Sequence, residues 1–251
     1  MKILAVQPDL VWENSAENLR HLEVLISDAG PCDLVVLPEM FATGFTMNPK
    51  KNAANYDGEE LAWLRRISKG RAVCGSLSFE EKGNYYNRLF WVENGEIKGE
   101  YDKRHLFTHG AEQRHYTAGS EILHIHYAGL RILPFVCYDL RFPVWCRNTT
   151  GAELMIFVAN WPQVRIQAWM KLLVARAIEN QCYVLGVNRV GEDGNGVYHN
   201  GASTLVNPWG DIQYSAADKE SATVLDLDFT ALHEYRRQFP VLEDADRFTI
   251  L

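Results

Sequence analysis

Three side chains able to run acyl-transfer chemistry stand where an apolar run gives way to polar residues. Cys137 ends the run Arg131-Ile-Leu-Pro-Phe-Val-Cys137 and is followed at once by Tyr138-Asp-Leu-Arg141-Phe-Pro143. Glu39 terminates Leu34-Val-Val-Leu-Pro-Glu39, and Lys103 follows the strand-like Tyr101-Asp102. A thiol at the point where a buried strand breaks into a polar turn is held rigidly yet meets a substrate, the logic of a nucleophile elbow. Because α/β folds collect ligands and reactive groups at strand ends, Cys137, Glu39 and Lys103 form one candidate site.

A free cysteine is mostly thiol at neutral pH, so a catalytic one needs a base to take its proton or a cation to hold its anion. Glu39 fits the first role and Lys103 the second. Attack on an amide carbon creates an oxyanion, which the Lys103 ammonium and the Tyr138 backbone N–H are suited to stabilise. Protonated Glu39 then hands its proton to departing ammonia and activates water against the thioester. No metal and no organic cofactor is required. Each residue alone also has a plainer reading: an inert core thiol, a charge at a helix start, and a solvated surface cation.

The elements that must hold these groups alternate in type. Asn14 with Glu17 resembles a capping box ahead of the stripe Leu19, Leu22, Leu25 and Ile26, and the pair Asp57 and Glu60 reads as a second helix start before Leu61, Leu64 and Ile67. Strands are expected at 1–7, 34–38, 72–79, 122–126, 130–136, 154–159, 183–188, 203–207 and 222–227, with a helix over 167–179 and hairpins at Gly83 and at Asn94-Gly95. Residues 103–120 read as a long loop, a length that favours function over mere connection. The two halves share a coarse rhythm of strands and helices. The expected class is a mixed α/β sheet system with outer helices, in one domain spanning 1–251. The tail 230–251 packs either on its own domain or on a partner subunit.

The 251 residues carry 25 Lys and Arg against 32 Asp and Glu, a net charge of −7 with the cations scattered, which disfavours nucleic acid and anionic membrane as partners. Five cysteines with no CxxC spacing suit a reducing cytoplasm. No signal-peptide pattern or membrane-length apolar stretch is read in the sequence. A small molecule is the expected partner.

Leu37-Pro-Glu39-Met-Phe41, Tyr101-Asp-Lys103-Arg-His-Leu-Phe107 and Val136-Cys137-Tyr-Asp-Leu-Arg-Phe-Pro143 together resemble the three signature segments of the nitrilase superfamily of carbon–nitrogen hydrolases, in that family's order. Val158-Ala-Asn-Trp-Pro162, Arg176-Ala-Ile-Glu-Asn-Gln-Cys-Tyr183 and Asn188-Arg-Val-Gly-Glu-Asp-Gly-Asn-Gly196 are similar to its bacterial ω-amidase branch. The resemblance implies a four-layer α-β-β-α sandwich, a homodimer, and the same roles for Glu39, Lys103 and Cys137. It also implies a second glutamate, at Glu112, that orients the lysine and substrate. The implied substrate is the monoamide of a 2-oxo dicarboxylic acid, such as 2-oxoglutaramate, hydrolysed with water to the dicarboxylate and ammonia. Its free carboxylate calls for a cation, with Arg165 the first choice and Arg141 its competitor, while Phe41, Tyr138 and Trp161 wall the pocket. The alternatives are the same chemistry on an N-carbamoyl amino acid, an aliphatic amide or a nitrile, and a non-catalytic thiol-bearing protein. The pairs His105/His109 and His124/His126 lack the companion ligands of a metal site. The glycine-rich 191–196 segment lacks a phosphate-loop lysine and reads as a tight turn near the pocket.

Overall fold

The computed structural model describes residues 1–250. In chain order, β1 (Lys2–Gln7), α1 (Ser15–Asp28), β2 (Leu34–Val36), the short α2 (Pro49–Asn52), α3 (Glu59–Ile67), β3 (Ala72–Glu81), β4 (Asn84–Glu93) and β5 (Glu96–Asp102) make most of one sheet and its helices. β6 (Ile125–Tyr127), β7 (Leu130–Val136), β8 (Leu154–Val158), α4 (Ile166–Asn180), β9 (Tyr183–Val187), the ribbon β10 (Val190–Glu192) and β11 (Tyr198–Asn200), β12 (Thr204–Val206) and β13 (Ile212–Ser215) follow. β14 (Ser221–Asp226) then returns to pair with β1, and α5 (Thr230–Gln238) closes the chain's last regular stretch.

The two sheets, ordered β14-β1-β2-β3-β4-β5 and β13-β12-β9-β8-β7-β6, repeat one plan. Three parallel strands (β1, β2 and β3; β7, β8 and β9) are flanked by antiparallel neighbours, one on one side and two on the other. The shared rhythm of the two halves is therefore a shared topology.

Strand alternation decides which layer each residue serves. In the first sheet Ile3, Ala5, Leu34, Val36, Ala72, Cys74, Leu89 and Trp91 face the second sheet, while Leu4, Val6, Val35, Val73, Phe90 and Val92 pack beneath Leu19, Leu22, Leu61 and Leu64 of α1 and α3. On the far side Trp169, Leu173 and Ala177 of α4 cover the second sheet. The result is four layers, α-β-β-α, whose central strands are apolar on both faces. A fully buried side chain such as Leu89 contributes roughly 1.5–3 kcal/mol through the water it leaves.

Asn14 caps α1 as expected, accepting from Glu17 N at 3.3 Å and donating to its carboxylate at 2.7 Å. The second expected cap is displaced. α3 starts from Gly58, with no side-chain cap, and Glu60 instead accepts from Ser15 Oγ at 2.5 Å, tying α3 to α1. The tail folds against its own chain: Leu232 is buried, and Arg236 donates to the carbonyls of Gly151, Ala152 and Gln181. No helix of the described residues is long and apolar enough to cross a membrane.

Candidate active site

The carboxyl ends of β2, β7 and β8 open toward one cavity, and the segments leaving them carry the reactive groups. After β2 the chain runs along β3, where Leu37 N donates to Cys74 O (2.8 Å) and Phe41 N to Ser76 O (3.1 Å). Gly75 permits this approach, since a Cβ there would sit 2.8 Å from Leu37 Cβ. Met40 takes φ +43°, the left-handed region, and its N–H is held by Ser76 Oγ at 2.9 Å. That turn aims Glu39 inward, where it is fully buried.

Lys103 leaves β5 with its main chain pinned on both sides: its N–H donates to Asn87 O (3.0 Å) and its carbonyl accepts from Gly119 N (3.0 Å). Gly119 lies so close that a Cβ would fall 2.2 Å from Asp102 O, so only glycine fits. The Lys103 ammonium donates to Glu39 Oε1 at 2.8 Å and to both Glu112 oxygens at 3.1 and 2.9 Å. Asn87, whose role the sequence did not disclose, bridges the same carboxylates at 2.8 and 3.0 Å, while its Oδ1 accepts from Ser76 Oγ at 2.9 Å. Its only sequence signal is an amide inside a strand run, a position amides disfavour. Phe107 N holds Glu112 Oε2 at 2.6 Å, after a left-handed Ala111.

These groups are fully enclosed, so their charges interact strongly. Burial works against the Lys103 ammonium, but Glu112 and Glu39 outweigh it and keep its pKa above the ordinary lysine value. Burial raises Glu112, against the pull of Lys103 and with the push of the Glu39 charge.

Cys137 itself has φ +45°, a strained value for a side chain with a Cβ. The elbow is held by Asp139, whose buried carboxylate accepts from Val136 N (3.2 Å), His105 N (2.9 Å) and Tyr101 Oη (2.7 Å), with His105 Nδ1 at 2.8 Å. Arg176 of α4 donates to Leu140 O at 2.6 Å. The thiol faces Glu39 and Lys103. Burial first, and then the Glu39 charge, push its pKa well above the usual cysteine value, with Lys103 offsetting only part.

A cavity of about 550 Å³ joins Glu39, Lys103 and Cys137 to Tyr138, Arg141, Trp161 and Arg165. Arg141 lies over the Trp161 ring at 4.9 Å and Arg165 over Phe107 at 5.1 Å. Among the described residues neither guanidinium pairs with a carboxylate. Asp193 in the same wall turns its Oδ1 to the β10–β11 turn, accepting from Asn195 N and Val197 N at 2.8 and 3.0 Å. The 191–196 turn thus does border the pocket. Phe41 does not: it is fully buried under α3, against Trp63 at 5.8 Å, and Phe45 and Phe107 wall the cavity in its place. Segment 37–48 has no strand or helix period that would have assigned its two phenylalanines to different sides.

The family model described as carbon-nitrogen hydrolase matches residues 2–237. Over 254 residues the chain is 43% identical to the omega-amidase YafV of Escherichia coli K12, covering 100% of this chain and 98% of that protein. It is 32% identical over 250 residues to the 2-oxoglutaramate amidase of Bacillus subtilis 168, covering 96% of each. A CN-hydrolase superfamily protein from Xanthomonas campestris, solved with an arsenic adduct in its active site, superposes with a TM-score of 0.97 at 40% identity, covering 100% of this chain and 99% of that one. A match over almost the whole sequence, joined to a fold shared from end to end, establishes that the chain belongs to the carbon-nitrogen hydrolase family.

Proposed function

We propose that the enzyme is an ω-amidase that removes the terminal amide of 2-oxo dicarboxylic acid monoamides of the 2-oxoglutaramate type, through a thioester on Cys137. One observation carries the substrate reading: two guanidiniums without acid partners among the described residues, Arg141 and Arg165, line the cavity that holds the thiol, which suits a small amide bearing its own carboxylate. The names of the Escherichia coli and Bacillus subtilis relatives support it.

The charge inventory supports the proton path. Ionising Cys137 by losing its proton to bulk water would leave three anions against one cation around the buried Lys103, whereas transfer to Glu39 leaves the total unchanged. In this reading Glu39 takes the thiol proton as sulfur attacks the amide carbon. Lys103 and the Tyr138 N–H, in the first turn of the 137–141 helical segment and so without an intrahelical acceptor, stabilise the oxyanion. Glu39 then protonates the departing nitrogen, the C–N bond breaks, and the same carboxylate activates water to cleave the thioester. Glu112 and Asn87 hold Lys103 and Glu39 in place throughout.

We also read residues 1–251 as one catalytic domain that acts as a homodimer in a reducing cytoplasm. Free cysteines at 32, 74, 137, 146 and 182 support the compartment, and the exposed Val144 and Ile250, which share one depression with Phe142 just past the elbow, support an interface. Light scattering tests it, expecting twice the chain's 28.7 kDa. Ammonia release across 2-oxoglutaramate, an N-carbamoyl amino acid, a simple aliphatic amide and a nitrile tests the substrate. The oxo-acid amide should lead by kcat/KM, and preference for any other member overturns the assignment.

A further inference from the structure

Asn160 leaves the carboxyl end of β8, lines the cavity and is 6% exposed. Trp161, the next residue, is clamped by Asn188, whose Oδ1 accepts from Trp161 N at 2.8 Å and whose Nδ2 donates to Trp161 O at 2.9 Å, so the segment is rigid. Asn160 N donates to Glu39 Oε2 at 2.9 Å, and its side-chain Nδ2 donates to the Glu39 main-chain carbonyl at 2.5 Å. The second bond fixes the amide's orientation: a carbonyl only accepts, so nitrogen must face it and Oδ1 must point elsewhere. That oxygen is buried and meets no donor among the described residues. A buried acceptor left open beside a reactive carboxylate calls for a ligand that brings the donor.

The inventory of acceptors around the reacting carbon narrows what that donor is. Glu39 Oε1 already accepts from Lys103 and Asn87, and Oε2 from Asn160 N, so the one position left on Oε2 is the one that takes the thiol proton, and Asn160 Oδ1 is the acceptor left for a substrate N–H. A primary amide presents two N–H groups, an N-substituted amide one, and a nitrile or ester none.

We propose that Asn160 is a specificity residue for the leaving nitrogen: its Oδ1 accepts an N–H of the substrate's primary amide, on the side where an N-substituent would otherwise stand. The inference rests on the amidase reading above and adds no covalent step to it. That bond turns the nitrogen's developing lone pair toward the proton carried by Glu39, and an N-substituent on the same side removes the hydrogen that makes it.

The test compares the 2-oxo dicarboxylate primary monoamide with its N-methyl amide, whose leaving groups are both amines. Wild-type protein should favour the primary amide by about 100-fold or more in kcat/KM. Asn160→Ala, which removes the acceptor and opens space for a methyl group, should shrink that ratio at least about 10-fold. A purely structural role through Glu39 lowers both substrates together, and an unchanged ratio overturns the proposal. Should the variant fail to fold or turn over, calorimetry on Cys137→Ala protein supplies an arm that needs no change at Asn160. The primary amide should bind at least about 10-fold tighter than the N-methyl amide, and equal binding overturns the proposal. Failure of the underlying reading looks different: wild-type protein then releases no ammonia from the primary amide at all, which removes both.

Discussion

Asn87 and Arg88 are neighbours on β4, and strand alternation sends their side chains to opposite faces, where each joins a charged cluster. Arg88 binds Glu81, Glu100 and Asp102 at 2.9, 3.1 and 2.6 Å and lies over the Phe79 and Tyr86 rings. Asn87 joins Lys103, Glu39 and Glu112. Both clusters gather carboxylates around one cation, yet their surroundings differ. The acids around Arg88 are 23–31% exposed and share their charge with water, so that cluster is a surface clasp between β3, β4 and β5. The Lys103 cluster is wholly buried and meets a strained thiol and a cavity. Charged residues in close contact are therefore not themselves a sign of chemistry; enclosure, shared acceptors and a reactive neighbour are what separate the two.

The separation predicts opposite outcomes for removing each cation. Lys103→Met should lower kcat/KM by about 1,000-fold or more, since the oxyanion loses its donor, and should cost about 3–5 kcal/mol of stability by stranding buried carboxylates. Arg88→Met should cost about 1–3 kcal/mol, because water can solvate the acids it leaves, while kcat/KM stays within about 3-fold. Parallel denaturant titrations and ammonia assays check the pair, and a large activity loss in the Arg88 variant breaks the contrast.

The arginines of the cavity sharpen it at the binding step. Arg165→Ala and Arg141→Ala should each raise KM for a carboxylate-bearing amide by about 10-fold or more, while leaving a neutral aliphatic amide within about 3-fold. The variant with the larger effect marks the residue that holds the acid, and equal losses on the neutral amide remove carboxylate recognition from both.

The smallest expected effect lies at the cavity rim. Burial, with the nearby Arg189 charge, lowers the His199 pKa to about 4. Its charged form is disfavoured in the fold, so its contribution is fully present above the unfolded value near 6.5 and is lost as pH falls toward 4. Stability should decline over that window by at most about 3 kcal/mol from this group. His199→Asn should flatten the decline in melts at pH 4–7, and an unchanged slope contradicts it.

Much of this was legible in the sequence because strand ends announce themselves. Glu39, Lys103 and Cys137 each follow an abrupt change from apolar to polar residues, and the fold brings all three together. Glu112 was reachable only through the family's motif order, since a carboxylate in an 18-residue loop carries no local signal. Asn87 and Asn160 were missed as contributors for a related reason. Their importance lies in which acceptors face them across the sheets, and one strand's period records the face but not the neighbour. Phe41 was misassigned because an irregular turn has no period, and the Asp57 cap gave way to Gly58 because α3 is positioned by packing on α1. The tail's first helix packs on its own chain through Arg236, whose acceptors are carbonyls in other segments and so leave no mark in the sequence.

The central claim is that Cys137 carries the acyl group. Acid quench of wild-type protein during turnover of 2-oxoglutaramate, followed by peptide mapping by mass spectrometry, tests it directly. The predicted result is an adduct on the Cys137 peptide equal to substrate minus ammonia, discharged once substrate is exhausted; an acyl group mapped to any other residue, or steady ammonia release from Cys137→Ala protein run alongside, contradicts it.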